Sequence, residues 1–408
     1  MSDYYKGLYG SHKKEQKSPF AALLDAVMFV ITVVVAVLFI VSLFVPVINP
    51  HSAGVLSTLG LIAPFIYVAM FVLTLYWILR WSWVAVPMIL LSVISLFSLS
   101  LFYRPELKRH YDIKYPRGTI KVMTYNTRSF ISDSGERCLD SIAELIDEVR
   151  PDIICFQEMG FSGLVDSMLQ PMRYKPLPKS LSRKDLSPAL YSRHPIIAAY
   201  RIDTMKNFVW ADVVVNKDTV RVFNNHLHTT AIRQEDEDYI ENHQYLAEED
   251  NVDKLGGMVS RLSKNNKRRS VQADTIASIM AQSPYPIIVC GDFNDIPISY
   301  TYRRMSRSAD DAFRKVGRGY SSTYRGFFDM LRIDYVMLSE EFTPLGYDVI
   351  NSWIWTDRVV REDTIKVRKY GENLTPRLDE GEAGPYAVDY SDHYPVIVGL
   401  DIVRPVEE

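Results

Sequence analysis

From Ala26 to Val47 the chain runs AVMFVITVVVAVLFIVSLFVPV without a charge, and an apolar run of that length leaves few folds open to it. A helix needs about 20 apolar residues to cross a bilayer core. Two more runs follow, Ser57 to Leu79 and Trp83 to Tyr103, separated only by Arg80, Trp81 and Ser82, which reads as a helical hairpin with a tight turn. Trp77, Trp81, Trp83 and Tyr103 stand at the run ends, where amphipathic aromatics favour the interface. Buried helices of a soluble core would show a polar stripe, and these show none. A cleaved signal peptide has an apolar core of about 7–15 residues followed by a small-residue cleavage pattern; the first run is longer and no such pattern follows it. The expectation is a tail over residues 1–20, three transmembrane helices within residues 21–104 and a linker over residues 105–118.

Loop charges set the orientation. Lys6, Lys13, Lys14 and Lys17 lie in the tail and Arg80 in the hairpin turn, while Ile48 to Leu56 carries no Lys or Arg. The positive-inside bias makes the tail and Arg80 cytoplasmic. Three crossings then give a multi-pass integral membrane protein with the rest of the chain on the extracytoplasmic side. Arg104, Lys108, Arg109, Lys114 and Arg117 run against that bias, and if only two runs span, the rest is cytoplasmic.

At 408 residues the chain can hold this segment and one large soluble domain, residues 119–408, with a core that needs no staple. A formal net charge of −3 excludes a global basic field for sequence-independent nucleic-acid binding. Of Cys138, Cys155 and Cys290, the last two lie inside the apolar runs PDIICF and PIIVCG, so they read as small core residues rather than a disulfide framework.

Beyond Gly118 short apolar runs alternate with amphipathic segments: IKVMTYN, a helix from Cys138 to Val149, DIICFQE, ALYSR, FVWADVVV, TVRVFNNHL, a helix from Val271 to Ala281, PIIVCGDFN, IDYVML and YPVIVGLDI. Strands with helices between them predict layered sheets covered by helices. Ala231 to Asn266, acidic at first and basic at its end, reads as a long surface insertion, and Asp357 to Asp389 as another.

Polar residues recur at the strand ends: Asn126, Glu158, His226, Asp292 with Asn294, Asp334, and Asp392 with His393 before the last strand. Strand ends are rigid platforms, so such side chains can converge on an oxygen-rich site for a hard cation such as Mg²⁺. Cation, imidazole and amide together are what phosphoester hydrolysis needs: charge neutralisation, an activated water and in-line positioning. Singly, each residue is weak, since an Asp or Asn at a strand end is more often a turn residue or a cap.

In order, the fragments MTYNTRS, CFQEMG, YSRHPI, NNHLHT, GDFND, RIDYVM and SDHYPV resemble the endonuclease/exonuclease/phosphatase superfamily. The resemblance covers Ile120 to Val403. It implies a DNase I-like four-layer α/β sandwich, two packed β-sheets flanked by helices, preceded here by the three transmembrane helices. It also implies a metal-dependent phosphohydrolase using Mg²⁺ or Mn²⁺. By the resemblance Glu158 would be the principal metal ligand, helped by Asn126 and Asp392. His393 would contact the scissile phosphate or transfer a proton, with Asp334 holding its ring. Asp292 would align or deprotonate the attacking water, Asn294 would bond a phosphate oxygen or the nucleophile, and His226 would bring a second imidazole to the phosphate. One-metal and two-metal schemes exchange the roles of Asp292 and His393.

Some nucleases of the superfamily carry an acid two positions after the first Asn; here Arg128 stands there, which argues against an abasic-site endonuclease. Pro188 and Ala189 replace the family's small Gly before the YSR strand, a scaffold variation. His228, two residues beyond His226, is expected on the same strand face, and His194 on the surface. Lys264, Lys267, Arg268 and Arg269 read as a solvated helix start, or as a receiver of anionic substrate or lipid headgroups. Tyr320, Tyr324, Phe327 and Phe328 read as a substrate-side wall or as packing.

The partners expected are the lipid bilayer and a phosphoester substrate, with no protein partner inferable. The membrane segment favours a phosphodiester in a lipid headgroup, against an extracytoplasmic nuclease for DNA or RNA. A catalytically silent receptor or scaffold on the same fold would have lost Glu158, Asp292 or His393 first, and all are present.

Overall fold

In the computed structural model, residues 18–105, 118–160 apart from 133, 165, 169, 175–176, 187–242 apart from 203, 231 and 233, 244, 251–353 and 386–402 are described. The elements are α1 (Pro19–Phe44), α2 (Gly54–Leu79), α3 (Ala85–Leu99), β1 (Tyr103–Arg104), β2 (Ile120–Asn126), α4 (Leu139–Val149), β3 (Ile153–Gln157), β4 (Lys175–Pro176), β5 (Ala189–Ser192), β6 (Ile196–Ile202), β7 (Met205–Val215), β8 (Asp218–His226), α5 (Gln234–Glu241) and α6 (Asn251–Ala281). They continue as β9 (Ile287–Asp292), α7 (Tyr300–Met305), β10 (Asp310–Asp311), α8 (Ala312–Val316), β11 (Gly319–Tyr320), β12 (Asp334–Leu338), β13 (Phe342–Val349), β14 (Ser352–Trp353), β15 (Tyr386–Ala387) and β16 (Val396–Ile402). Most of the expected linker and most of the Asp357–Asp389 stretch lie outside the described residues.

The chain divides into two compact units, Met1–Phe44 with Ile62–Phe97, and Val45–Leu61 with Ser98–Glu408. In the first, α1 and α2 are 26 residues each and uninterrupted by charge after Asp25, about 39 Å of helix against a hydrocarbon core of about 30 Å. Both are long and apolar enough to cross a bilayer. Polar side chains pair inward: Trp77 Nε1 donates to Thr32 Oγ1 at 2.8 Å and Thr74 Oγ1 lies 2.7 Å from Ser92 Oγ. Arg80 grips Asp25 with Nε–Oδ1 at 2.8 Å and Nη2–Oδ2 at 2.7 Å, tying the start of α1 to the end of α2.

The third expected span is corrected. Its helix, α3, has 15 residues, about 22 Å and short of a crossing. The end of the apolar run leaves the helix because the second unit takes it up: Phe102 is buried, and Tyr103 and Arg104 pair antiparallel with Tyr320 and Gly319.

The second unit is built on two six-stranded sheets, ordered β10-β12-β9-β8-β7-β6 and β13-β16-β2-β3-β5-β4. Neighbours are antiparallel except β2/β3 and β8/β9, the two pairs whose connections contain α4 and α6. Alternation along β2 explains the layers. Ile120 and Val122 face the core between the sheets, with Cys155, Val222, Cys290, Val336 and Val398. Met123 and Tyr125 face outward beneath Ile142, Leu145 and Ile146 of α4. On the other sheet Phe223, Val289 and Tyr335 turn outward beneath Ile276 and Met280 of α6. Cys155 and Cys290 are free and fully buried, as small core residues should be.

The insertion read from Ala231 to Asn266 is corrected too. Its described part is largely helical, and α6 begins at Asn251 rather than near Val271. Apolar periodicity missed this helix because its inward face is partly polar: Asn265, Asn266 and Arg269 are buried beside Leu262. Ion pairs hold that face, with Arg261 Nη2 2.6 Å from Asp236 Oδ1 and Arg269 Nε 3.2 Å from Asp295 Oδ2. Arg269 is thus a buried structural cation, not part of a solvated helix start.

Candidate active site

Strand register brings the polar strand ends to one place. His226 pairs with Asp292 across β8/β9 and Asp292 with Asp334 across β9/β12, while Asn126 pairs with Gln157 across β2/β3, with Glu158 next in the chain. The row forms only because β8 and β9 approach closely at Gly291. Its φ is +134°, and a Cβ there would run into the Asn225 carbonyl oxygen, so the glycine of GDFN is required by space and by conformation.

The two sheets are joined beneath the site by buried amides. Asn224 Nδ2 donates to Phe156 O at 3.0 Å and to Ala189 O at 2.6 Å, and Gln157 Nε2 donates to Asn224 Oδ1 at 2.6 Å. Above them Asn126 Nδ2 donates to Asp292 Oδ2 at 3.1 Å and to Glu158 Oε1 at 3.3 Å, one side chain spanning both sheets. Gln157 and Asn224 were not singled out from sequence. The NN of FNNHL was the available signal, since one of two adjacent strand residues must face inward.

Around Asp292 the groups converge. His226 Nε2 is 3.4 Å from Glu158 Oε1 and 3.8 Å from Asp292 Oδ2, and His393 Nε2 is 3.8 Å from Asp292 Oδ2. His393 Nδ1 lies 2.9 Å from Asp334 Oδ2. Asn294 holds both oxygens of Asp292, its backbone N–H donating to Oδ1 at 2.8 Å and its Nδ2 to Oδ2 at 3.0 Å; Nδ2 also donates to Leu227 O at 3.2 Å. Asp392 takes a hydrogen bond from Ser391 Oγ at 3.2 Å and lies 3.9 Å from Arg128 Nε. Ser391 Oγ also donates to Asn126 O at 2.8 Å. Glu158, Asn294 and Arg128 have φ of 49°, 53° and 42°, a left-handed conformation unfavourable for side-chain-bearing residues and concentrated at functional sites.

The electrostatics follow from burial. Burial alone would lower the His393 pKa, but Asp334 and Asp292 more than reverse this and it rises to about 10. Burial raises the Asp292 pKa, against the pull of His393 and His226.

A match to a family model decides what this constellation belongs to: residues 123–393, more than half of the chain, match the endonuclease/exonuclease/phosphatase family. The chain belongs to the endonuclease/exonuclease/phosphatase family. Its members hydrolyse phosphoesters, and this chain is a phosphoester hydrolase with the DNase I-like fold. Residues 25–102 match a second model, a domain of unknown function (DUF8431).

Among solved structures, an endonuclease/exonuclease/phosphatase family protein from Bacteroides thetaiotaomicron is 18% identical, with 70% of this chain and 98% of that one covered and a TM-score of 0.45. A mannosyl-6-phosphatase from the same organism is 16% identical, covering 69% of this chain and 100% of that one at a TM-score of 0.43. A humanized D. rerio TDP2 is 12% identical, covering 70% and 99% at a TM-score of 0.46. No curated protein matches the chain.

The family's enzymes generally use divalent metals, and the donors suit a hard cation. Glu158 and Asp392 present carboxylates on the open side, their side chains 42% and 30% exposed, while Asn126 is buried beside them with its Oδ1 accepting from the Arg128 backbone N–H. Asp292, Asp334 and His393 form a second, buried group whose ligand atoms lie within 4.8 Å of one another. In that group Asp334 Oδ2 already holds His393 Nδ1, so it reads as a hydrogen-bonded pair facing Asp292. Asp334 Oδ1 is buried without a hydrogen bond among the described residues.

Elsewhere, His228 leaves the strand and lies 3.2 Å from Asn265 Oδ1 and 3.1 Å from Arg268 Nη1, on α6. Burial and Arg268 lower its pKa. Tyr324 stands beside His393 with ring centroids 5.1 Å apart, and its hydroxyl donates to Glu237 Oε1 of α5 at 2.8 Å. It therefore forms part of the site wall, which the sequence had left open between wall and packing.

Proposed function

We propose that this chain is a membrane-anchored, divalent-metal-dependent phosphodiesterase acting on lipid headgroups or related phosphodiesters, with a membrane segment over residues 21–104 and a catalytic domain over residues 119–408. A Mg²⁺ or Mn²⁺ ion held by Glu158, Asn126 and Asp392 supplies, when bound, positive charge to the phosphate oxygens and acidifies water. His393, protonated at neutral pH and held at Nδ1 by Asp334, donates from Nε2 to a phosphate or leaving oxygen. Asp292 accepts the proton of the attacking water, with both its oxygens fixed by Asn294. His226, between Glu158 and Asp292, donates to a second phosphate oxygen.

The observation that carries the lipid reading is that the first two turns of α2 pack on the catalytic domain beside the GDFND loop. Ser57 Oγ accepts from Asn266 Nδ2 at 2.8 Å, and Gly60 closes on Ile296. The chain thus passes from the catalytic domain straight into a helix long and apolar enough to cross a bilayer, which favours a substrate drawn from the bilayer.

The test is hydrolysis by the full chain, in detergent with Mg²⁺, of choline, ethanolamine and inositol phospholipids and of plasmid DNA. Lipid turnover supports the reading. DNA nicking without lipid turnover replaces it with the nuclease.

A further inference from the structure

Helix α6 turns a basic face away from the domain it covers. At about 100° per residue, Lys267, Val271, Lys264 and Arg268 fall within about 100° of arc. Lys264, Arg268 and Val271 are exposed and Lys267 is half-buried, while Leu262, Asn265, Asn266 and Arg269 on the other side are buried. One edge of this face lies against Gly54, the first residue of α2. A Cβ at Gly54 would strike Ser263 Oγ and come within 2.9 Å of Lys267 Cε. The basic face therefore starts where the chain enters a helix long and apolar enough to span a bilayer, the level at which hydrocarbon gives way to headgroups.

We propose that Lys264, Lys267 and Arg268 dock on anionic phospholipid headgroups of the bilayer that holds α1 and α2. Three cations on one side of a helix, with Val271 among them, match a planar anionic surface that attracts Lys and Arg within a Debye length. A nucleic-acid strand fits less well. Asp236 bonds Arg261 and Glu237 bonds Tyr324 beside His393, so α5, with Glu235, Asp236, Glu237 and Asp238, presents acid along the way from α6 to that side of the site. Arg268 also touches His228, two residues beyond His226, so the basic face adjoins the chain that leads out of the site. The inference rests on the membrane reading and is independent of the substrate.

The full chain reconstituted in nanodiscs of phosphatidylcholine alone, and of phosphatidylcholine with phosphatidylglycerol, is treated briefly with an amine-acetylating reagent and labelling is read by mass spectrometry. Lys264 and Lys267 should be labelled several-fold less in the anionic discs at low salt, with protection lost at high salt and Lys217 and Lys315 unaffected. Equal labelling of Lys264 and Lys267 in both discs overturns the proposal. A chain that elutes apart from the discs overturns the membrane reading and the proposal with it, so the two failures are told apart.

Discussion

His393 and Asp334 are joined through Nδ1 and Oδ2 at 2.9 Å, a contact that orients the ring and leaves Nε2 facing Asp292 at 3.8 Å. The residues come from the two sheets' opposite partners, Asp334 opening β12 and His393 preceding β16.

Asp334→Asn keeps the size of the buried side chain and removes the charge that sustains the imidazolium. The expected result is a fall in kcat of about 10²- to 10⁴-fold, with a thermal melt close to that of the parent. Steady-state hydrolysis of bis-p-nitrophenyl phosphate alongside a melting curve checks it; a kcat within a few-fold of the parent contradicts the pairing.

Gly291→Ala places a methyl group against the Asn225 backbone at φ +134°. The strain and displacement should cost about 3 kcal/mol or more, lowering Tm by about 6–12 °C for a domain of this size. Differential scanning fluorimetry of the detergent-solubilised chain reads it, and an unchanged Tm would mean that β8 and β9 do not approach as described.

Asn224→Leu replaces the amide between the sheets with an apolar group of similar size. Gln157 Nε2 loses a partner, as do the carbonyls of Phe156 and Ala189. Each buried group left unpaired costs about 1–3 kcal/mol, so Asn224→Leu should destabilise more than the same change at an exposed strand position. Urea unfolding of the two variants side by side settles it.

Glu237 gives a pH signature of stability. Burial is the main cause of its raised pKa, opposed by the Tyr324 hydroxyl it accepts from. A carboxyl whose folded pKa exceeds its unfolded value contributes stability below the unfolded value of about 4.3, and that contribution is lost as pH rises through the folded value. Glu237→Gln keeps the acceptor oxygen, so it should melt higher than the parent at pH 8 and equally at pH 4. A parent that melts higher at pH 8 reverses the sign.

Much of this was legible in the chain because rigid strands carry it. Asn126, His226 and Asp292 are the last residues of their strands and Asp334 the first of its own, so strand pattern and order mark them in the chain. The DNase I-like layering followed from the same runs. Three matters escaped, each for a physical reason. Helix α6 hides its buried face in Asn265, Asn266 and Arg269, which hydropathy scores as exposed. Phe102 and Tyr103 look like the end of a membrane span, yet a domain far along the chain claims them. Gln157 and Asn224 act through a contact between sheets, which no local pattern encodes.

The account stands on one arrangement, in which Glu158 holds the cation on the open side while His393 and Asp292 work on the phosphorus. Its most direct test is the Mg²⁺ dependence of bis-p-nitrophenyl phosphate hydrolysis by the full-length parent and Glu158→Gln. The parent should lose activity with EDTA and regain it on titration with Mg²⁺, and Glu158→Gln should lose about 10²-fold or more in kcat/KM with a weakened Mg²⁺ half-saturation. Parent-like activity in Glu158→Gln with an unchanged Mg²⁺ titration would contradict the site.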